Sequence, residues 1–437
     1  MLPNQMVPAG LAELLQACRS CFSVRSFPIF CLPAVGMIGQ VGTSTVTGIL
    51  VGAGAQRLIG HDRVHRFFAE HVWSVDQLGL VFAKMVVDRF VDPGAPIQPV
   101  VDDTMFRRGG KHVAQAHWGH DASQPGHVTA RGNRWVVLGI VVQFGFGSRP
   151  VCLPVLFRLW AGKGTAGYNQ PARTMIGLPP RAFPDRRFDV TADAAYHGKA
   201  LTDLPGRVTS TTRPPRNAVL YGMAPPPTRK RGRPRLKGER LGIPKAVAAA
   251  ADTWRETVVE RYGRTDTIRI AVIPCLWYGA FGATAGRLIA VTDTIGGRTR
   301  QRMLFTTDLN TIPEMIVSRY AARWSIEVAI ANAKQIMGVG QARNRVAAAV
   351  ERTVPFRILM MTLVHIWYAL HGHDAGDAAA HRAARPWYTT KTEPAFPDML
   401  AKCRRTIIAT RFLRVRPGRQ PPQQIEDDAL AWELTAA

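Results

Sequence analysis

Tyr320, Arg323, Glu327 and Lys334 follow one another at spacings of three, four and seven residues. On a helix turning by about 100° per residue, all four fall within an arc of about 60°. A phenol, a guanidinium, a carboxylate and an ammonium in one strip combine a divalent-metal ligand with groups that hold phosphate. That is equipment for cutting a phosphodiester. The opposite face carries Met315, Ala322, Ile326, Ala329, Ala333 and Ile336 and is expected to be buried. Thr311 and Glu314 read as a capping box with Pro313 in the first turn, and Gly338 and Gly340 mark the end. One continuous helix is therefore expected. The bland alternative is a solvated face with Arg323 and Glu327 paired at i,i+4.

Further carboxylates occur at Asp102, Asp103 and Asp193. Hard divalent ions take oxygen ligands and keep water and substrate phosphate in the rest of their shell. Two such ions about 4 Å apart activate the attacking oxygen and stabilise the leaving one. Asp102 or Asp103 from one strand end, Asp193 from another and Glu327 from a helix would meet that need as catalytic residues. Asp102, Asp193 and Glu327 would be the metal ligands. Each acid taken singly is as well explained as a cap or an ion-pair partner, so the reading rests on the set. Zinc is disfavoured. Cys18-x-x-Cys21 has no second pair nearby, and His112, His117, His120 and His127 are spread along a strand and loop.

The 437 residues carry 56 Lys and Arg against 31 Asp and Glu, a formal net charge of +25. A globular chain this basic repels itself unless a polyanion shares its surface, which points to nucleic acid. No basic amphipathic anchor argues for a membrane surface. The six scattered cysteines suit a reducing cytoplasm, and no signal peptide is evident.

The elements that must position these groups can be read coarsely. Residues 1–95 look helical, with the charge-free stretch 26–56 read as a buried helical hairpin. Thr43-Ser44 and Asp62 are candidate caps for a pair of short helices. The second would expose Arg63, His65 and Arg66 while Val64, Phe67 and Phe68 point inward, which resembles a DNA-contacting helix pair. Ile97–Thr104 reads as a strand. Trp135–Phe144 and Pro150–Trp160 read as a hairpin, followed by a helix through Met175 and Ile176. Phe188–Ala192 is a further strand ending at Asp193. Three strands, a helix and a fourth strand, with acids at the ends of the first and fourth, is the ribonuclease-H-like order. Residues 205–245 read as a Pro- and Arg-rich break, in which Arg231 and Arg233 suit an A·T-rich minor groove. Residues 254–308 return to strands.

Y-x2-R-x3-E-x6-K, here Tyr320, Arg323, Glu327 and Lys334, resembles the signature of bacterial insertion-sequence DDE transposases. VDDTMFRRGGKH resembles that family's first-aspartate block and DAAYHG its second, with Tyr196 three residues after Asp193. GKHVAQAH and KRGRPRLKGERL look like the subgroup called DDE superfamily endonucleases. The motifs keep their order over most of the chain, from about residue 40 to 410. The resemblance implies an α/β, ribonuclease-H-like catalytic domain with a β-rich insertion, plus the helical N-terminal domain. The corresponding boundaries are 1–95, 96–204, 205–308, 309–375 and a basic region 376–437. It also implies hydrolysis of double-stranded DNA at transposon ends with Mg²⁺ or Mn²⁺, two ions, and strand transfer by a homodimer. Tyr320, Arg323 and Lys334 would grip end phosphates. D-x-T spacing favours Asp102 as the first acid and D-T favours Asp103; we lean to Asp102. The competing functions are a DNA-binding regulator that has lost cutting and a metal-dependent nuclease that cuts without joining.

Overall fold

The computed structural model describes residues 7–413, apart from 122–124, 127, 163–166, 199–200, 203, 227–233 and 296–297. Arg231, Arg233 and His127 therefore lie outside the described residues.

Five helices come first: α1 (Ala9–Ala17), α2 (Phe27–Gly39), α3 (Val46–Gly52), α4 (His61–Ala69) and α5 (Val75–Phe90). The uncharged stretch does form a helical hairpin. α2 and α3 approach so closely that a Cβ on Gly36 would collide with the Ile49 carbonyl, and one on Gly52 would lie 2.5 Å from the Gly36 carbonyl oxygen. The expected caps are corrected. Thr45, not Thr43 or Ser44, caps α3 by accepting the Gly48 N–H at 3.2 Å. Ser44 instead makes tertiary bonds, its N–H donating to Gln341 Oε1 at 2.8 Å. Asp62 lies inside α4 and pairs with His61 at 3.0 Å, while Gly60 holds the cap position.

One large mixed sheet follows. Its strands are β1 (Pro99–Arg107), β2 (His117–His120), β3 (Thr129–Val142), β4 (Val151–Trp160), β5 (Phe188–Ala192) and β6 (Val208–Thr212). The short pair β7 (Leu220–Tyr221) and β8 (Arg240–Gly242) stands apart. The last four strands are β9 (Arg255–Arg261), β10 (Arg264–Cys275), β11 (Gly286–Ile295) and β12 (Arg298–Thr306). The order β4-β3-β1-β5-β6, with the first three antiparallel and β5 and β6 parallel to β1, fits a ribonuclease-H-like domain. β12 pairs with β6, so β9 to β12 continue the same sheet.

The expected break at 205–245 is also corrected, because β6 lies within it. VTSTT looks too polar for a central strand. Its hydroxyls find partners inside the fold: Thr209 donates to Asp189 at 2.8 Å, Thr211 to Thr306 at 2.9 Å and Thr212 to the Asp193 carbonyl at 2.8 Å. β-branched residues with satisfied hydroxyls suit a buried strand.

The remaining helices are α6 (Asn169–Ile176), α7 (Pro179–Ala182), α8 (Pro244–Ala249), α9 (Tyr278–Phe281), α10 (Pro313–Ala322), α11 (Trp324–Gln335), α12 (Ala347–Trp367), α13 (Asp377–Ala384) and α14 (Phe396–Leu413). One apolar core joins side chains of α1 to α5, of β1, β3, β4 and β5, and of α12 and α14. Ala347–Gly372 is the one described helix long and apolar enough to cross a membrane, and it is mostly buried within the fold.

Candidate active site

Successive side chains of a strand point to opposite faces. On β1, Asp102 and Asp103 therefore part company. Asp102 faces α11: its Oδ2 accepts from Arg323 Nη1 at 3.1 Å, and Arg323 Nη2 donates to Glu327 Oε1 at 2.9 Å. One guanidinium thus bridges a strand acid and a helix acid. Asp103 accepts from Arg134 Nη1 of β3 at 3.1 Å and from the Tyr196 hydroxyl at 3.4 Å. Asp193 follows β5, which runs parallel to β1 with Val101 beside Ala192. Its Oδ1 accepts the Ala194 N–H.

Burial dominates the electrostatics. It pushes the Asp102 carboxyl up to about 7; the Arg323 charge opposes this, and the Asp103 and Glu327 carboxylates add to it. Burial likewise raises Asp103, against Arg134, with Asp193 contributing in the same direction as burial. Asp102 is thus close enough to feel Asp103 and Glu327, and Asp103 to feel Asp193. Glu327 keeps 34% of its side chain exposed against 16% for Asp102 and 19% for Asp103, so it meets solvent more than the two acids of β1.

The expected single helix is two. The chain breaks at Arg323, whose N–H is shared between the Arg319 and Tyr320 carbonyls at 3.2 and 3.3 Å. The Ile326 N–H then returns to the Arg323 carbonyl at 3.0 Å. This tightened turn sits where the Arg323 side chain is drawn to Asp102. The capping box does not form. Ile312 is at the cap position of α10, and Asp308 Oδ1 accepts the N–H groups of Asn310 and Thr311 instead. Glu314 is engaged by Arg255 at 2.6 Å and Thr257 at 2.9 Å on β9. The break also changes the buried face. Met315 is exposed, whereas Ile316, Val317 and Ala321 are buried, the first two against β9 to β12. Ile326, Ala329 and Ala333 are buried as expected.

Tyr320 stays beside the acids, its ring 5.9 Å from the Arg323 guanidinium. Its hydroxyl is buried, and burial pushes its pKa to about 12. Lys334 lies 5.8 Å over the Phe106 ring, and burial lowers its pKa. Arg63, His65 and Arg66 line the exposed side of α4 over buried Val64, Phe67 and Phe68. Sequence reasoning missed Arg134, the charge partner of Asp103. The available signal was an arginine directly before the apolar run of β3. It also missed Arg319, which donates to Asp189 of β5 and so ties α10 to the sheet.

A family model for DDE superfamily endonucleases matches residues 20–274. The chain belongs to that family. No curated protein matches the sequence. The matched span includes Asp102, Asp103 and Asp193 but ends inside β10. The place of Glu327 in this DDE endonuclease therefore rests on its geometry. Enzymes of the superfamily use divalent metal ions, generally Mg²⁺. Among the described residues, no three His, Cys, Asp or Glu side chains form a ready metal cluster. The donor set still fits a hard cation in kind. It is all oxygen, largely buried, and balanced by the Arg323 and Arg134 guanidiniums.

Proposed function

We propose that this DDE endonuclease is a DNA transposase: it binds the ends of an insertion sequence, cleaves them and joins them to target DNA. The observation that carries the reading is the Asp102–Arg323–Glu327 bridge, which ties the first strand to the signature helix beside the end of β5. Asp102, Asp193 and Glu327 would hold the divalent ions, which lower the pKa of bound water and stabilise the leaving oxygen. Asp102 is the first acid on this reading because it shares the face of Glu327. Arg323 holds the two carboxylates, supplying the positive charge that a bound cation would supply there. Tyr320, Arg323 and Lys334 would position the end phosphates. Arg231 and Arg233, together with Arg63 and Arg66 on α4, would contact the duplex further out. A homodimer would bring two ends together.

The test uses a linear duplex bearing the inverted repeats that flank the gene, a supercoiled target and Mg²⁺. Wild-type protein should cut the ends and join them to the target. Glu327→Gln, nearly isosteric but a poor metal ligand, should lose cutting by at least about 100-fold, the scale of removing one essential charge-stabilising group. It should still bind the ends. Cutting at wild-type rate by Glu327→Gln would overturn the assignment of that residue. Cutting without any joined product would leave a nuclease and refute strand transfer.

A further inference from the structure

Beyond Lys334, the loop after α11, the β1–β2 loop and the α2–α3 loop meet around a cleft of about 440 Å³. Its walls carry Arg107, Arg108, Arg343 and Arg345, with Thr43 and Gln341 beside them, and among the described residues no acidic side chain lines it. The floor is fixed by buried bonds. Arg108 Nη2 donates to the Asn344 carbonyl at 2.6 Å and to Asn344 Oδ1 at 2.7 Å. Arg357, also buried, donates to the Gly338 carbonyl at 2.8 Å and to the Ser44 carbonyl.

The charge here is not balanced within the fold. Arg107 reaches a carboxylate, Asp121, at 2.7 Å, and its side chain is still 55% exposed. Arg343 and Arg345 are exposed and in no ion pair among the described residues. Among the described residues, Arg108 and Arg357 have only neutral oxygens as hydrogen-bond partners. Burial lowers both pKa values, that of Arg357 to about 9, with the Arg108 charge contributing. Buried guanidiniums without an acid are costly, and an anion in the cleft would offset that cost.

The cleft lies beyond the ends of the two elements that carry Asp102 and Glu327. β1 carries Asp102 and ends at Arg107, five residues or about 17 Å further on, and the even step to Arg108 puts that cleft residue on the Asp102 side. α11 carries Glu327 and Lys334 about 10 Å apart along its axis. Lys334 in turn feels the charges of Asp121 and Arg107. A duplex advances about 3.4 Å per base pair, so 17 Å corresponds to about five base pairs.

We infer that this cleft is a second phosphate grip, in which Arg107, Arg343 and Arg345 hold the DNA backbone about five base pairs from the cut. Planar guanidiniums pair bidentately with phosphate oxygens. Such contacts set register without reading bases. The inference rests on the proposed action on DNA.

The test is anisotropy titration of a labelled 30-base-pair duplex at several salt concentrations. Three full-length proteins are compared: wild type, Arg343→Gln with Arg345→Gln, and the charge-matched control Lys84→Gln with Lys245→Gln. The arginine pair should make the slope of log K against log salt shallower by about 1.8, and affinity at 0.15 M salt should fall on the order of tenfold. Both arginines are exposed, so the thermal midpoint should not move. The control should keep the wild-type slope. Equal loss in both pairs would mean bulk charge and overturn the cleft. Wild-type binding with an unchanged slope in the arginine pair would also sink the cleft, leaving the transposase reading intact. A wild-type protein without salt-dependent DNA binding would refute that reading and the cleft together.

Discussion

Asp102 and Asp103 differ by one residue in sequence and by a whole face of the sheet in space. Asp102 looks at Glu327 through Arg323, whereas Asp103 is held by Arg134 and Tyr196. Asp102→Asn should therefore abolish end cleavage, and Asp103→Asn should only weaken it. Single-turnover cutting assays with both variants decide this, and full activity in both would mean that the first acid has been misplaced. The same residue carries a stability signature. Its folded-state pKa of about 7 lies above the ordinary 3.8. Between those values the metal-free folded protein holds a proton that the unfolded chain has lost, so stability falls as pH rises from about 4 to 7. The Asn variant lacks this slope. At pH 8 it should be more stable than wild type by up to a few kcal/mol, since each pH unit between the two pKa values costs about 1.4 kcal/mol. Urea unfolding at pH 5 and pH 8 in the presence of a chelator reads the difference. The acids could be named as candidates from the sequence because their types and order are specific. Arg134 could not, since an arginine on a strand does not announce which neighbouring acid it faces.

At the scale of elements, periodicity located β5 to the residue and the buried α2–α3 hairpin. It failed where side chains satisfy each other across the fold. β6 reads as loop until its threonines are seen bonding to Asp189, Thr306 and the Asp193 carbonyl. The signature helix reads as continuous until Arg323 is seen reaching Asp102. The hairpin offers a sharp test. Gly36 has an ordinary helical place, so backbone freedom is not its role; space is. A methyl there meets the Ile49 carbonyl directly. Gly36→Ala should gain helix propensity of up to about 1 kcal/mol yet lose more from overpacking, typically about 1–3 kcal/mol. The expected outcome is a lower urea midpoint. A midpoint equal to or above that of wild type would show that α2 and α3 do not pack this closely.

At the scale of the whole molecule, α12 joins the N-terminal helices to the sheet, and a buried imidazole in that shared region should make the assembly acid-sensitive. His365 is fully buried, stacked 4.9 Å from Phe396 and 6.5 Å from Phe144, with Nδ1 2.9 Å from the Met361 carbonyl. Burial pulls its pKa from 6.5 down to about 4. Below pH 6.5 the unfolded chain binds a proton that the folded chain refuses, so stability drops as pH falls toward 4. At about 1.4 kcal/mol for each pH unit, the loss reaches about 3 kcal/mol. The net charge of +25, already self-repelling, acts in the same direction as carboxylates protonate. Composition made the charge plain, but nothing in the sequence showed that this histidine would sit between two phenylalanines distant in the chain. His365→Phe separates the two effects, because it keeps the aromatic stack and removes the proton site without altering the surface charge. Urea unfolding of both proteins at pH 7 and pH 4.5 should show a smaller acid loss in the variant, by about 2–3 kcal/mol. Equal losses would assign the acid sensitivity to the surface charge alone.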